Sequence, residues 1–187
     1  MTPVELYTLI ASALVVHPDS LCITPIDRED GGVLIHVTAH DEDYGKLIGS
    51  QGSNFRACDD LIQLAAIKAG LKSCTLEVDT RHARAALATR FITNHKWGRS
   101  DDARLKEILR RIADCVSEGE VLITTRNVSY NTTTLSVVCN GLHDRGAEAI
   151  ALLGKAIARN RGRIVCVEAF NNANHITYSK ANSAHRR

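Results

Sequence analysis

Two glycines three residues apart, Gly49 and Gly52, lie between two apolar segments that both read as helix, in the run Gly45-Lys46-Leu47-Ile48-Gly49-Ser50-Gln51-Gly52-Ser53-Asn54-Phe55-Arg56. Helices joined by so short a link must turn sharply, and glycine reaches positive φ without a steric penalty. It also leaves no side chain between the backbone and whatever approaches it. Ser50, Gln51 and Gly52 can then aim backbone N–H groups outward, with the positive end of the following helix behind them. Such a loop suits a phosphate. Two glycines at this spacing are also common in ordinary helix–helix turns, so the surrounding elements decide the reading.

Those elements follow from periodicity. Thr2, Pro3 and Glu5 read as N-cap, N1 and N3 of a helix from Pro3 to Val15, with Leu6, Leu9, Ile10, Ala13 and Leu14 on one face. His17-Pro18-Asp19-Ser20 stops it. Leu21–Ile26 and Val33–Ala39 read as strands about a polar turn at 27–32. Asp41 can cap a short helix through Ile48; a longer helix spans Ser53–Ala69, and Ser73–Val78 is a third strand. The order is α-β-β-α-α-β.

Ala103–Val116, Val121–Thr125, Thr133–Cys139, Asp144–Arg159 and Arg163–Ala169 repeat it as α-β-β-α-β, without the short helix and the glycine loop. The chain is therefore expected to be α+β, with a first domain at 1–79 and a basic, partly helical linker at 80–102. A second small α/β domain follows at 103–170, and a polar tail at 171–187. Ala39-His40-Asp41 and Leu142-His143-Asp144 both follow an apolar strand and open a helix. The second domain is thus either a degenerate repeat of the first or an independent use of a common α/β layer.

Charge divides the chain. Residues 1–79 carry five Lys/Arg against twelve Asp/Glu, a balance of −7, and residues 80–187 carry eighteen against nine, a balance of +9. A nucleic-acid or acidic partner is expected for the basic part. The six cysteines form no CxxC pair and each sits in an apolar segment, which implies buried free thiols in a reducing compartment. Val4–Val16 lacks the basic flank and cleavage site of a signal peptide, and no apolar span approaches the ~20 residues of a membrane helix. A cytoplasmic location with no membrane partner is expected.

Residues 3–79 resemble a KH domain in its type II arrangement, and in particular the small stand-alone bacterial KH proteins. Their pattern of an N-terminal helix, His-Pro, two strands and Gly-Lys-x-Ile-Gly-x-x-Gly is met by His17-Pro18 and by Gly45 through Gly52. The resemblance covers about two fifths of the chain, and none is found for residues 80–187. It implies binding of single-stranded nucleic acid, RNA in preference to DNA, with about four nucleotides clamped at the loop. The implied contacts are Lys46, Leu47, Ile48, Gly49, Ser50, Gln51, Gly52, Ser53, Asn54 and Arg56 around the loop. Leu47 and Ile48 would form an apolar groove wall with Ala57 and Leu61, and Thr75, Leu76 and Glu77 would meet base edges. Lys46 and Arg56 are the nearest cations. This chain departs from the pattern in two places: the residues between the glycines, Ser50 and Gln51, are neutral, and the turn at 27–32 is mostly acidic.

Other constellations point less sharply. The stretch from Arg81 to Arg111 holds nine Lys/Arg against three acids. There Arg81, Arg84, Arg90, Lys96 and Arg99 can track a nucleic-acid backbone while Trp97 or Phe91 stacks on a base; a solvated helix face with a buried Trp97 serves equally. Lys155, Arg159, Arg161 and Arg163 cluster at a helix end, where they oppose the helix dipole without any ligand. His40-Asp41-Glu42-Asp43 is more easily an acidic helix start than a metal site, and Asp59-Asp60 read as exposed. No metal-ligand spacing, cofactor motif or catalytic set emerges. The expectation is a non-catalytic binder of single-stranded RNA. The alternative is a protein-interaction module on a KH-like scaffold, either a homodimer or bound to a protein partner within a ribonucleoprotein.

Overall fold

A computed structural model describes residues 1–79, 101–129, 132–160 and 164–171. Helix α1 (Pro3–Leu14) starts as its sequence dictates: Thr2 Oγ1 accepts from the Glu5 N–H, and Glu5 Oε2 accepts from the Thr2 N–H. This capping box satisfies two amides that have no partner inside the helix. Leu6, Tyr7, Ile10, Ala11 and Leu14 then recur at helical spacing and are buried.

Strands β1 (Cys22–Asp27), β2 (Val33–Thr38) and β3 (Cys74–Val78) form a sheet in the order β1-β2-β3, the first pair antiparallel and the second parallel. Between β2 and β3 the chain makes a single 3-10 turn (Asp41–Asp43), helix α2 (Tyr44–Ile48), the glycine loop and helix α3 (Ser53–Lys68). Alternation places Ile35 and Val37 of β2, and Cys74 and Leu76 of β3, on the buried face.

The second half repeats this topology. Helix α4 (Asp101–Val116) precedes β4 (Val121–Ser129), β5 (Thr132–Cys139), helix α5 (Asp144–Asn160) and β6 (Ile164–Asn171). The sheet order is β4-β5-β6, again antiparallel then parallel. Where the first half inserts α2 and the glycine loop, the second passes from β5 to α5 in four residues, Asn140 to His143. Strands β4 and β6 run longer than hydrophobic alternation alone predicts, because ladder pairing continues through polar positions at their ends.

The halves meet through their helices, α3 against α5 and α1 against both α4 and α5, over one continuous apolar core. Gly146 permits a close approach, since a Cβ there would stand 2.9 Å from Leu64 Cδ1 on α3. Helix ends are exchanged across the junction. Lys68, closing α3, donates to the carbonyls of Asp114 (3.0 Å) and Ser117 (2.6 Å) at the end of α4. Asn160, closing α5, donates to the Leu14 carbonyl (3.1 Å) at the end of α1. Each half thus satisfies carbonyls that the other half's first helix leaves without internal donors.

All six thiols are free; Cys58, Cys74, Cys115 and Cys139 are buried as expected, whereas Cys22 on the edge strand β1 is exposed. Burial pushes the Cys139 thiol up to about 11, so it stays protonated at neutral pH. Asp59 is half-buried rather than exposed, and burial raises its carboxyl pKa against an opposing bond from Gln63. Among the described residues no helix is long and apolar enough to cross a membrane.

Candidate nucleic-acid interface

The loop between α2 and α3 is built on left-handed backbone. Gly49 (φ 75°), Gln51 (φ 53°) and Gly52 (φ 76°) all have positive φ. For Gln51 that conformation costs about 1–2 kcal/mol, which the flanking helices must impose. Gly49 is sterically required as well: a Cβ there would stand 2.7 Å from the Asn54 backbone nitrogen. At Gly52 a Cβ would meet only the flexible Arg56 guanidinium, at 3.3 Å. Ser50 and Gln51 are exposed at the crest. The loop therefore offers backbone to solvent with no bulk in front of it.

Its base is fixed by buried polar bonds. Asn54 is buried and donates through Nδ2 to the Lys46 carbonyl at 2.7 Å, tying the start of α3 to α2. Lys46 is itself buried; its Nζ donates to Asp43 Oδ1 (2.7 Å) and to the Glu42 carbonyl (3.1 Å). Asp43 has no exposed surface and also accepts the backbone N–H groups of Val16 (3.0 Å) and His17 (2.8 Å). Burial raises its pKa, but the bonds from Lys46, Val16 and His17 outweigh that and hold the carboxyl below the usual range. The Lys46 ammonium, expected to face a phosphate, is committed instead to this internal bridge. The run His40 to Asp43 is likewise not a uniformly exposed helix start, because its last acid is the keystone joining α1, α2 and the loop.

A groove of about 360 Å³ runs beside the loop, lined by Ile48, Gly52, Phe55, Arg56, Leu76 and Glu77, with Val78 at its end. Ile48, Gly52, Arg56, Leu76 and Glu77 of the sequence expectation thus lie together. Leu47, Ala57 and Leu61, expected on the groove wall, are core residues instead. On α2 the buried residues are Tyr44, Lys46 and Leu47, while Ile48 stays half-buried at the groove. Phe55 takes the wall position that sequence reasoning passed over. Thr75 is half-buried beyond the groove, where its Oγ1 lies 3.5 Å from Arg28 Nη1.

On its other side the loop borders a cleft of about 640 Å³, facing Leu152, Lys155, Ala156 and Arg159 of α5. Ser50, Gln51, Ser53 and Asn54 belong to this cleft, and Ile48 is shared with the groove. No local signal in the sequence marks this proximity. Arg81, Arg84, Arg90, Lys96, Trp97 and Arg99 lie outside the described residues.

For a metal, the described residues offer one grouping: His17, His40 and Glu42 place potential ligand atoms within 4.8 Å of one another. Both imidazoles are already engaged, His17 Nδ1 at 3.2 Å from Asp43 Oδ2 and His40 Nδ1 accepting from the Glu42 N–H at 3.4 Å. Accepting at Nδ1 keeps the proton of neutral His40 on Nε2, so ligation there would sacrifice that bond.

Residues 5–78 match the protein family described as the KH domain of KhpA and KhpB. Over 60 residues the chain is 40% identical to the RNA-binding protein KhpA of Halalkalibacterium halodurans, a stretch equal to 32% of this chain and 76% of that protein.

Proposed function

The chain belongs to the KhpA/KhpB family of KH-domain proteins, and from that premise we propose that it binds single-stranded RNA without catalysis, clamping the backbone at Gly49–Gly52. The observation that carries this reading is the exposed crest of Ser50 and Gln51 on positive-φ backbone, set beside an apolar groove. Backbone N–H groups of Ser50 and Gln51 hold phosphate oxygens, and the positive end of α3 adds to their attraction, whereas the Gly52 N–H, expected to join them, closes the turn on the Gly49 carbonyl at 3.3 Å. Ser53 lies in the first turn behind them. Bases lie along Ile48, Phe55 and Leu76, and Glu77 accepts from an exocyclic amine at the groove's rim. Arg56 is the cation over Gly52. Lys46 and Asn54 position the loop. The basic segment with Arg81, Arg84, Arg90, Lys96, Trp97 and Arg99 adds further attraction.

A second reading rests on the acidic first half and on strand β1, an edge strand with Ile26 44% exposed. Such an edge can pair with a strand of another protein, making the fold an assembly module. One experiment separates the two. Short single-stranded RNA pools are titrated by fluorescence anisotropy against wild type and against Ser50→Asp with Gln51→Asp. Loss of binding in a folded variant supports the loop; unchanged binding moves the RNA elsewhere; no binding by wild type favours the assembly reading.

A further inference from the structure

The loop is short of positive charge. Ser50 and Gln51 are neutral, Lys46 is withdrawn into its bridge with Asp43, and the half that carries the loop has a net charge of −7. Among the described residues, Arg56 is the one cation lining the groove. Phosphate binding on so acidic a background needs cations from elsewhere.

Helix α5 brings them. Lys155 and Arg159 are four residues apart, so they share one helix face, and that face forms the far wall of the cleft opposite Ser50 and Gln51. Both are exposed, and among the described residues neither makes a hydrogen bond or ion pair. Their place in the last turns of α5 makes them compatible with the helix dipole, so they stay unpaired there without penalty. The wall is not free to drift: Gly146 packs α5 against Leu64, and Asn160 anchors its end to α1. The cleft's volume of about 640 Å³ falls within the ~300–1,000 Å³ of small-ligand sites. Ser50, Gln51 and Ser53 line it from the loop, and Lys155 and Arg159 line it from α5.

We propose that α5 completes the RNA site in cis: the phosphodiester backbone crosses the glycine loop and continues into the cleft, where Lys155 and Arg159 contact its phosphates. This rests on the RNA-binding reading above. The half without a glycine loop then contributes to binding through a helix, with the loop on one side of the cleft and α5 on the other.

The test uses the full chain and a short single-stranded RNA pool, titrated between about 50 and about 200 mM salt. Lys155→Gln with Arg159→Gln should lower the log–log salt slope by about 1.4, two contacts at about 0.7 each. The affinity gap to wild type is then about sevenfold wider at the lower salt than at the higher. A control of equal charge change, Arg110→Gln with Arg145→Gln, removes exposed cations that do not line the cleft. An unchanged slope in a folded cleft variant overturns the inference, as does an equal drop in the control. If Ser50→Asp with Gln51→Asp still abolishes binding in either case, the loop reading stands without the cleft. Absence of RNA binding by wild type removes both.

Discussion

Lys46 Nζ lies 2.7 Å from Asp43 Oδ1, with both side chains buried, so the lysine of the glycine-loop motif holds the loop's foundation together. Removing one member of a buried pair leaves an uncompensated charge and costs about 3–5 kcal/mol. Lys46→Met should therefore lower the urea midpoint strongly. Asp43→Leu with Lys46→Met should recover only part of the loss, because the N–H groups of Val16 and His17 then lack their acceptor. A Lys46→Met protein of unchanged stability and weakened RNA binding would show that the ammonium faces phosphate after all.

Acid stability should carry the signature of Asp43. Burial alone would raise its pKa, and the bonds from Lys46, Val16 and His17 reverse that. A carboxyl held low in the folded state and returning to about 3.9 on unfolding adds stability above that pH. The contribution disappears as pH falls through the folded value. Wild-type unfolding free energy should thus drop below about pH 4, while Asp43→Asn, less stable at neutral pH, should show a flatter acid limb. Parallel curves in a denaturant series at several pH values would contradict this.

The two glycines should not be equivalent. Gly49→Ala forces a Cβ to within 2.7 Å of the Asn54 backbone nitrogen, so the start of α3 must move and its bond to the Lys46 carbonyl must loosen. Gly52→Ala meets only a mobile guanidinium tip and carries mainly the ~1–2 kcal/mol of left-handed backbone. Thermal melts should rank Gly49→Ala below Gly52→Ala, with faster amide exchange at Asn54 in the former.

Gly146→Val should wedge α5 away from α3, since its Cβ would already stand 2.9 Å from both Leu64 Cδ1 and Leu142 Cδ1. Overpacking of this kind costs about 1–3 kcal/mol. Equilibrium unfolding measures the loss, and RNA affinity should fall with it if the cleft wall shifts. A variant as stable as wild type would mean that the helices have slack at this contact.

Element order and the glycine loop were legible because both depend on local signals: the Thr2–Glu5 capping box, period-two strands such as Ile35 and Val37, and two glycines flanked by helices. Side-chain facing around the loop was not. On the short helix α2, Tyr44, Lys46 and Leu47 face inward, and five residues carry too little periodicity to say so in advance. The backbone donors to Asp43, from Val16 and His17, are 27 and 26 residues away in the chain, and Lys155 is more than a hundred from Ser50. Periodicity carries nothing about contacts of that range. Phe55 was missed for a simpler reason: one aromatic at the third position of a helix reads as core unless the groove beside it is known.

The exchange of helix ends between the halves bears on how the molecule comes apart. Lys68 closes α4 and Asn160 closes α1, so either half taken away strips hydrogen bonds and apolar cover from the other at once. The halves hold one another through these contacts. Their shared core is of the kind that joins obligate partners, and the helix that follows the loop is backed by a neighbour without a glycine loop of its own.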